Sequence, residues 1–368
     1  MTKPFLDFYS KIGFAPTGQQ ENKLQSHQVN RDNLYRKIGL HDAIFRGSSV
    51  LEIGPGSGEN SFDLLRRGID SLTLMDGIPA VLESIRSRAP KISNLNFIIQ
   101  DVSTEFNTEL YDIVVCEGVI PLQMDPDKFL INVATTVKPG GFLLITTMDE
   151  ISLLSEVLRR YLAHKILSVG TSNLSEIVDF FSNDFDSLPG MTRKKEDWVL
   201  DTINVPWVGR LFSVADACKS SSSMLRPVAL TPNICPDIAW YKSPLTAMIE
   251  SSEWQKRYLL YCHNLIDSRT NQFLPASPLM NLNLQSNCNR IFVLVSAFTR
   301  REIEDPEKEL IDLLVNTLAE CKQLDSETIL SIQAYIHWLQ NSSNDLSDFR
   351  KLWGRGQQHL LFQKEISE

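Results

Sequence analysis

The chain lacks any pair of cysteines spaced C-x-x-C. Its six cysteines, Cys116, Cys218, Cys235, Cys262, Cys288 and Cys321, are scattered. That spacing suits neither a zinc site nor a dense disulfide framework, so no metal is expected and a reducing, cytoplasmic setting is the expectation. No apolar run reaches the ~18 residues that a membrane span requires. Residues 1–10 lack a basic stretch followed by an apolar one, so no signal peptide is expected. Positive charge is also short: 36 Lys and Arg stand against 45 Asp and Glu, a net charge of -9. A broad nucleic-acid footprint needs a basic face, which this balance argues against. The run Arg193-Lys194-Lys195 is brief and reads as a solvated loop. There is no internal repeat, and the serines at 220–223 read as loop.

What is present is an ordinary globular composition, 43% hydrophobic and 22% charged over 368 residues. That length suits one enlarged domain or two. Residues 1–47 are polar with scattered aromatics, and the stretch up to 38 has helical character. Short apolar runs follow at 49–53, 71–75, 96–99, 113–116 and 142–146. They alternate with helix-like segments at 60–67, 79–88 and 126–136, the rhythm of βαβ units on a parallel sheet. Lys138-Pro139-Gly140-Gly141 reads as the turn before the fifth strand. Beyond residue 150 the rhythm is lost. An amphipathic helix is expected over 151–167, with Leu153, Leu154, Val157, Leu158 and Leu162 on one stripe. Another is expected over 174–181, then loops over 186–245 around a strand at 226–230. Helices follow at 246–266, 306–324 and 327–339, with 291–298 open between helix and strand. A turn and a strand at 359–364 close the chain.

The densest signal is Val50-Leu51-Glu52-Ile53-Gly54-Pro55-Gly56-Ser57-Gly58-Glu59-Asn60. A buried strand runs into three alternate glycines and then a helix, where backbone turns tightly and a ligand approaches closely. Dinucleotide loops place glycines at positions one, three and six and seat a pyrophosphate at the helix start. Here the third glycine falls at position five, position six is Glu59, and no Lys or Arg occurs between Val50 and Leu65. A phosphate is poorly served, whereas a cationic sulfonium and ammonium suit these carboxylates.

This stretch resembles the first motif of class I S-adenosylmethionine-dependent methyltransferases, and the resemblance extends over about residues 48–150. It includes Asp76 at the end of the second strand, Asp101 after the third, Tyr111-Asp112-Ile113-Val114-Val115-Cys116-Glu117 as the fourth motif, and the Lys-Pro-Gly-Gly turn. The resemblance implies S-adenosyl-L-methionine as cofactor, held by Glu52, Gly54, Gly56, Gly58, Asp76, Gly77, Ile78, Asp101, Val102, Cys116 and Glu117. Asp76 would take both ribose hydroxyls, Asp101 the adenine amino group, and Val102 would lie near the ring. Glu52 would act on the methionine end, and Glu117 would lie beside the methyl group. It also implies a doubly wound, mostly parallel seven-stranded α/β sheet ending in an antiparallel hairpin, which 226–230 and 359–364 would form.

Methyl transfer is an in-line displacement that needs alignment above all, with a base where the acceptor requires one. His27, Arg31 and Tyr35 stand at i, i+4 and i+8 and share one helix face. His27, Tyr35 and Glu117 are the candidate catalytic residues. Tyr9, Arg31, Trp198, Trp207 and Tyr241 are the candidate acceptor contacts, with Asp237 and Trp240 beside Tyr241. His164, His263, His337 and His359 read as helix surface or satisfied interior groups. The expected layout is an N-terminal helical cap (1–47), a cofactor-binding core with substrate loops (48–245), a helical insertion (246–350) or an appended helical domain in its place, and a returning strand (351–368). The leading reading is methylation of a small molecule on oxygen or nitrogen, with a homodimer possible. A protein methyltransferase docking through the helical region, a non-catalytic scaffold and a nicotinamide-dependent oxidoreductase stay open beside it.

Overall fold

The computed structural model describes residues 4–89, 92–101, 109–121, 123–167, 169–170, 173–221, 223–234, 242, 250–320, 324–341 and 345–366. Seven strands form one sheet: β1 (Ser49–Ile53), β2 (Ser71–Asp76), β3 (Leu95–Ile99), β4 (Tyr111–Cys116), β5 (Val137–Thr147), β6 (Leu225–Thr231) and β7 (Gln358–Lys364). Their order is β3-β2-β1-β4-β5-β7-β6. β1 to β5 are mutually parallel, and β7 runs antiparallel between β5 and β6.

Period-two alternation divides the sheet into two cores. Leu51, Ile53, Val114, Cys116, Leu143, Ile145, Leu360 and Phe362 face one hydrophobic cluster, while Val50, Val115, Leu144 and Leu361 face the other. The smaller cluster is closed by α2 (Leu24–Lys37), α3 (Asp42–Phe45), α4 (Glu59–Leu65) and α5 (Pro79–Arg88); α1 (Pro4–Ile12) precedes them in the chain. The larger is closed by α6 (Pro126–Thr135), α7 (Leu154–Ile166), α8 (Leu174–Phe180), α9 (Ser182–Asp186), α10 (Lys195–Val199) and α11 (Val214–Ser221). It continues without a break into α12 (Ser251–Tyr261), α13 (Pro278–Thr299), α14 (Glu307–Glu320) and α15 (Ser326–Asn341). These last four helices lie in the chain between β6 and β7.

Three expectations change. Lys138-Pro139-Gly140-Gly141 is a bulge inside β5 and not a turn ahead of it: Tyr111 pairs with Val137, but Ile113 next pairs with Phe142. Gly141 is needed there because a Cβ would stand 2.7 Å from the Asp112 carbonyl oxygen. The ambiguous stretch 291–298 is the second half of α13, whose polar first half hid its length. The segment 186–245, read as loops, holds α10 and α11, each too short to show a period.

Candidate active site

The C-terminal ends of β1 to β5 converge where the glycine loop turns. Gly54, Gly56 and Gly58 have φ of 69°, 57° and 88°, the left-handed region that side chains avoid. The Gly54 amide bonds the Met75 carbonyl at 2.9 Å and ties the loop to β2. Space above the loop is also tight. A Cβ on Gly54 would lie 2.4 Å from Val119 Cγ2, and one on Gly56 would lie 2.4 Å from Thr17 Oγ1. Thr17 accepts from the Ser57 amide at 2.8 Å, so residues N-terminal to β1 close directly on the loop. Arg88 of α5 bonds Glu59 at 3.2 Å, which supplies the cation missing from the loop's own sequence but leaves it paired.

Two carboxylates here make no ion pair among the described residues. Asp76, half-buried at the end of β2, accepts from the Ile78 amide at 2.8 Å. Burial pushes its carboxyl up to about 6 against the pull of the Ile78 and Gly77 amides. Glu52 is 3% exposed and takes a 2.5 Å hydrogen bond from Ser61 Oγ. Burial, with the Glu117 charge behind it, pushes Glu52 up to about 8. Asp101 lies two residues beyond the end of β3; Val102 lies outside the described residues.

Glu117 is the opposite case. Arg31 grips it through both guanidinium nitrogens at 2.9 Å, Asn60 Nδ2 lies 3.3 Å away, and His359 Nε2 lies 3.0 Å from Oε1. Burial alone would raise its carboxyl, but Arg31 and His359 hold it far below the usual carboxylate range. It is therefore a fixed negative charge. Arg31 also donates to the Tyr35 hydroxyl. That phenol is buried against Phe45 and Arg67, and burial raises it well above its usual range. Tyr35 thus supports Arg31 from within the core. His27 contacts Asn60 Oδ1 at 3.1 Å, and burial followed by the Arg31 charge lowers its pKa. The i, i+4, i+8 face is thus turned inward onto Glu117.

A second group covers the loop from above. Tyr9 donates to Asp201, and burial, Asp201 and the nearby Asp76 charge all raise its phenol. Arg193 bonds Asp201 at 2.7 Å and the Pro16 carbonyl at 3.0 Å through Nε. The Gly18 amide meets Asp197 Oδ2 at 2.6 Å, and Gln19 bridges Arg193. Arg193-Lys194-Lys195, expected to be a solvated loop, is instead one half of a clasp that binds residues 16–20.

The two tryptophans change their role. Trp198 is 8% and Trp207 is 4% exposed. Trp198 packs edge-on against Phe181, Phe185 and Trp353, while Trp207 stacks on Phe292 and under Arg160. Both anchor the larger core and wall no open pocket. Tyr241, with Asp237 and Trp240, lies outside the described residues. The residue missed from the sequence is His359. The signal that could have found it is its place as the first residue of the expected strand 359–364, which returns to the site. Among the described residues, no group of three His, Cys, Asp or Glu side chains is placed to hold a metal, and no helix is long and apolar enough to cross a membrane.

A parallel sheet that turns through three glycines after β1, with an acid ending β2 and a returning antiparallel β7, defines a class I methyltransferase domain. Comparison with known proteins agrees: residues 51–145 match the family described as a methyltransferase domain. The chain is similar to the ubiquinone biosynthesis O-methyltransferase of Rickettsia typhi, 26% identical over 34% of this chain and 52% of that one. It is also similar to the mitochondrial enzyme of that name from Schizosaccharomyces pombe, 29% identical over 43% and 58%. A third of that name, from Vibrio vulnificus, is 27% identical over 44% and 65%. The chain thus spans between half and two thirds of the curated relatives it matches. Among solved structures it matches the N-methyltransferase NodS of Bradyrhizobium japonicum in complex with S-adenosyl-L-homocysteine, at 22% identity, covering 33% of this chain and 62% of that one, with a TM-score of 0.30.

Proposed function

We propose that this chain transfers a methyl group from S-adenosyl-L-methionine to an oxygen on a small-molecule acceptor. The observation that carries the reading is Asp76. It is a half-buried carboxylate without a cation, pushed up to about 6, at the mouth of a three-glycine loop. Such a group gains most from neutral donors, and a vicinal ribose diol offers two to one carboxylate. The loop does not fit a pyrophosphate, because α4 begins with Glu59. The amides of Gly54 to Gly58 and Glu52 would hold the methionine end. Asp76, Gly77 and Ile78 would hold the ribose, Asp101 and Val102 the adenine, and Cys116 and Glu117 would border the methyl side. When bound, the sulfonium supplies an already activated methyl group. The protein's part is to align the acceptor and keep water out, for which Thr17, Tyr9 and the clasp at 191–201 stand over the loop. Oxygen as acceptor is supported by the relatives, which are O-methyltransferases by name.

Calorimetric titration of S-adenosyl-L-methionine tests this, with NAD as control. Dissociation constants on the order of micromolar are expected for the wild type and a loss of about 10²-fold for Asp76→Ala, about 2.7 kcal/mol. Affinity should also fall as the pH drops through about 6, where Asp76 takes up its proton. Heat from NAD, or equal affinity in Asp76→Ala, would overturn the reading.

A further inference from the structure

The last strand carries a histidine into the site. β7 is antiparallel, so its first residues lie at the edge where β4 and β5 end. His359 pairs with Thr146 of β5 on one side and Thr231 of β6 on the other. The Gly118 amide donates to Thr146 Oγ1 at 2.7 Å, which folds the loop after β4 onto the same edge. The pleat sets direction. Leu361, two residues on, faces the cluster that Val50 and Val115 also face. By the same alternation His359, Glu52 and Glu117 stand in one row above that cluster.

His359 Nε2 lies 3.0 Å from Glu117 Oε1, and a quarter of the imidazole side chain, 24%, is open to solvent. The remaining capacity of Glu117 is taken by Arg31 and Asn60. The carboxylate is ionised and only accepts, so Nε2 must carry the hydrogen. In the neutral form of the imidazole the lone pair then lies on Nδ1. Among the described residues Nδ1 has no protein partner. The buried Arg31 Nε also lacks one but has no lone pair to accept a proton, and the cluster's other contacts run between its own side chains. Arg31 holds Glu117, Tyr35 holds Arg31, Asn60 bridges Glu117 and His27, and Ser61 holds Glu52. An oriented imidazole with one free, solvent-reachable nitrogen is what a general base requires.

We propose that His359 is the catalytic base that removes the proton from an acceptor hydroxyl, with Glu117 as the positioning residue that fixes its tautomer. This rests on the methyl-transfer reading above and adds the acceptor's chemistry to it: a hydroxyl that must lose its proton. In the step, the hydroxyl proton moves to His359 Nδ1. The oxygen lone pair forms the new O–CH3 bond while the C–S bond breaks. Its electron pair stays on sulfur, so the sulfonium leaves as a neutral thioether. The imidazolium then returns the proton to solvent.

Three measurements on the full chain test this. First, the wild type is treated with diethyl pyrocarbonate, with and without saturating S-adenosyl-L-homocysteine, and its histidines are mapped by mass spectrometry. His359 should be modified in the free chain and protected severalfold by the thioether; an unreactive or unprotected His359 overturns the proposal. Second, ¹⁵N NMR of the histidines should find His359 as the Nε2–H tautomer, and Glu117→Gln should release it into a mixture. A wild-type Nδ1–H tautomer overturns the base, and an unchanged tautomer in Glu117→Gln overturns the positioning role. Third, His359→Asn and His359→Gln should bind S-adenosyl-L-methionine within about threefold of wild type by calorimetry. With 3,4-dihydroxybenzoate as probe acceptor, their kcat should fall by about 10²–10⁴-fold. Transfer at the wild-type rate overturns the base. If the wild type leaves this probe unmethylated, the modification and tautomer results decide alone. Absence of any S-adenosyl-L-methionine binding in the wild type would instead mark failure of the methyl-transfer reading itself.

Discussion

Glu52 offers a stability experiment whose sign is opposite to the usual one for an acidic residue. Its carboxyl is 3% exposed, and burial moves it from 4.5 to about 8, with Ser61 pulling it down and the Glu117 charge pushing it further up. Between those two values the folded state keeps a proton that the unfolded chain gives up. Stability therefore falls as the pH rises through this window, by ~1.4 kcal/mol per unit. The penalty is absent below about 4.5 and complete above about 8. At pH 7 it amounts to ~3 kcal/mol. Glu52→Gln keeps the shape and cannot ionise, so it removes this penalty. An altered bond to Ser61 offsets ~1 kcal/mol of the gain. The variant should thus be about 2 kcal/mol more stable than wild type at pH 7 and equal or slightly less stable at pH 5. Urea unfolding of both proteins at pH 5, 6, 7 and 8 reads the difference directly. A difference that does not grow with pH, or a variant less stable than wild type at pH 8, would refute the reasoning. The same arithmetic applies to the ligand. A cation arriving beside Glu52 favours its ionised form, so S-adenosyl-L-methionine should bind with proton release, visible as a dependence of the binding heat on the buffer's ionisation enthalpy.

Two further changes probe the frame that holds the site. Asp184→Asn leaves the guanidinium of Arg159, 2.8 Å away and wholly buried, without its charge partner, and should lower unfolding stability by about 3–5 kcal/mol in urea. Gly354→Ala would place a Cβ 1.9 Å from the Ser152 carbonyl oxygen, backbone against which nothing can rotate away. A loss near the upper end of overpacking, ~3 kcal/mol, is expected in thermal unfolding, and a change below ~0.5 kcal/mol would mean that the 352–357 segment is not pressed onto α7.

The first half of the fold was legible because its information is local. Strands β1, β2, β4 and β5 are short apolar runs with turn residues between them, and the spacing of Gly54, Gly56, Gly58, Asp76 and Asp101 follows from one βαβ rhythm. The face of His27, Arg31 and Tyr35 was also readable from the helical period, although its direction was not. Periodicity says which residues share a face, but the buried Glu117 decides that this face points inward. The tryptophans misled for a related reason. A ring beside carboxylates reads as a pocket wall, yet Asp197 and Asp201 are spent on Gly18, Tyr9 and Arg193, while Trp198 is left to the core. Lys138 to Gly141 carries turn residues, and only the pairing of Ile113 with Phe142 reveals a bulge. His359 was not read as a site residue because its partner Glu117 lies far away in sequence, with β5, β6 and the helices α6 to α15 between them.

That separation poses a physical problem, since a base at the start of β7 must be placed after a long helical excursion. The structure solves it with a buried clamp just before the strand. Arg159 of α7 donates to the Leu352 carbonyl at 2.7 Å and to the Arg350 carbonyl at 3.0 Å, and the Trp353 ring lies 3.8 Å from its guanidinium carbon. Trp353 Nε1 donates to Ser187 Oγ at 2.9 Å, the Gly354 amide to Ser155 Oγ at 2.9 Å, and the Arg355 amide to the Leu265 carbonyl at 2.9 Å. Gln358 then meets Thr147 at the end of β5, and His359 follows. Most of these bonds fix backbone, and none depends on a side chain of the cofactor loop. A buried ion pair is weak support for stability by itself, because desolvation offsets most of its attraction. Its value here is geometric: Arg159 has five donors in a rigid plane, which a Lys cannot match, and three of them fix residues 350–352 and Asp184 in one register. Arg159→Lys should therefore keep the fold in moderate urea yet loosen His359, and the loosening would be read as lost protection of His359 by S-adenosyl-L-homocysteine against diethyl pyrocarbonate. Full protection in that variant would mean that β5 and β6 alone set the register of β7.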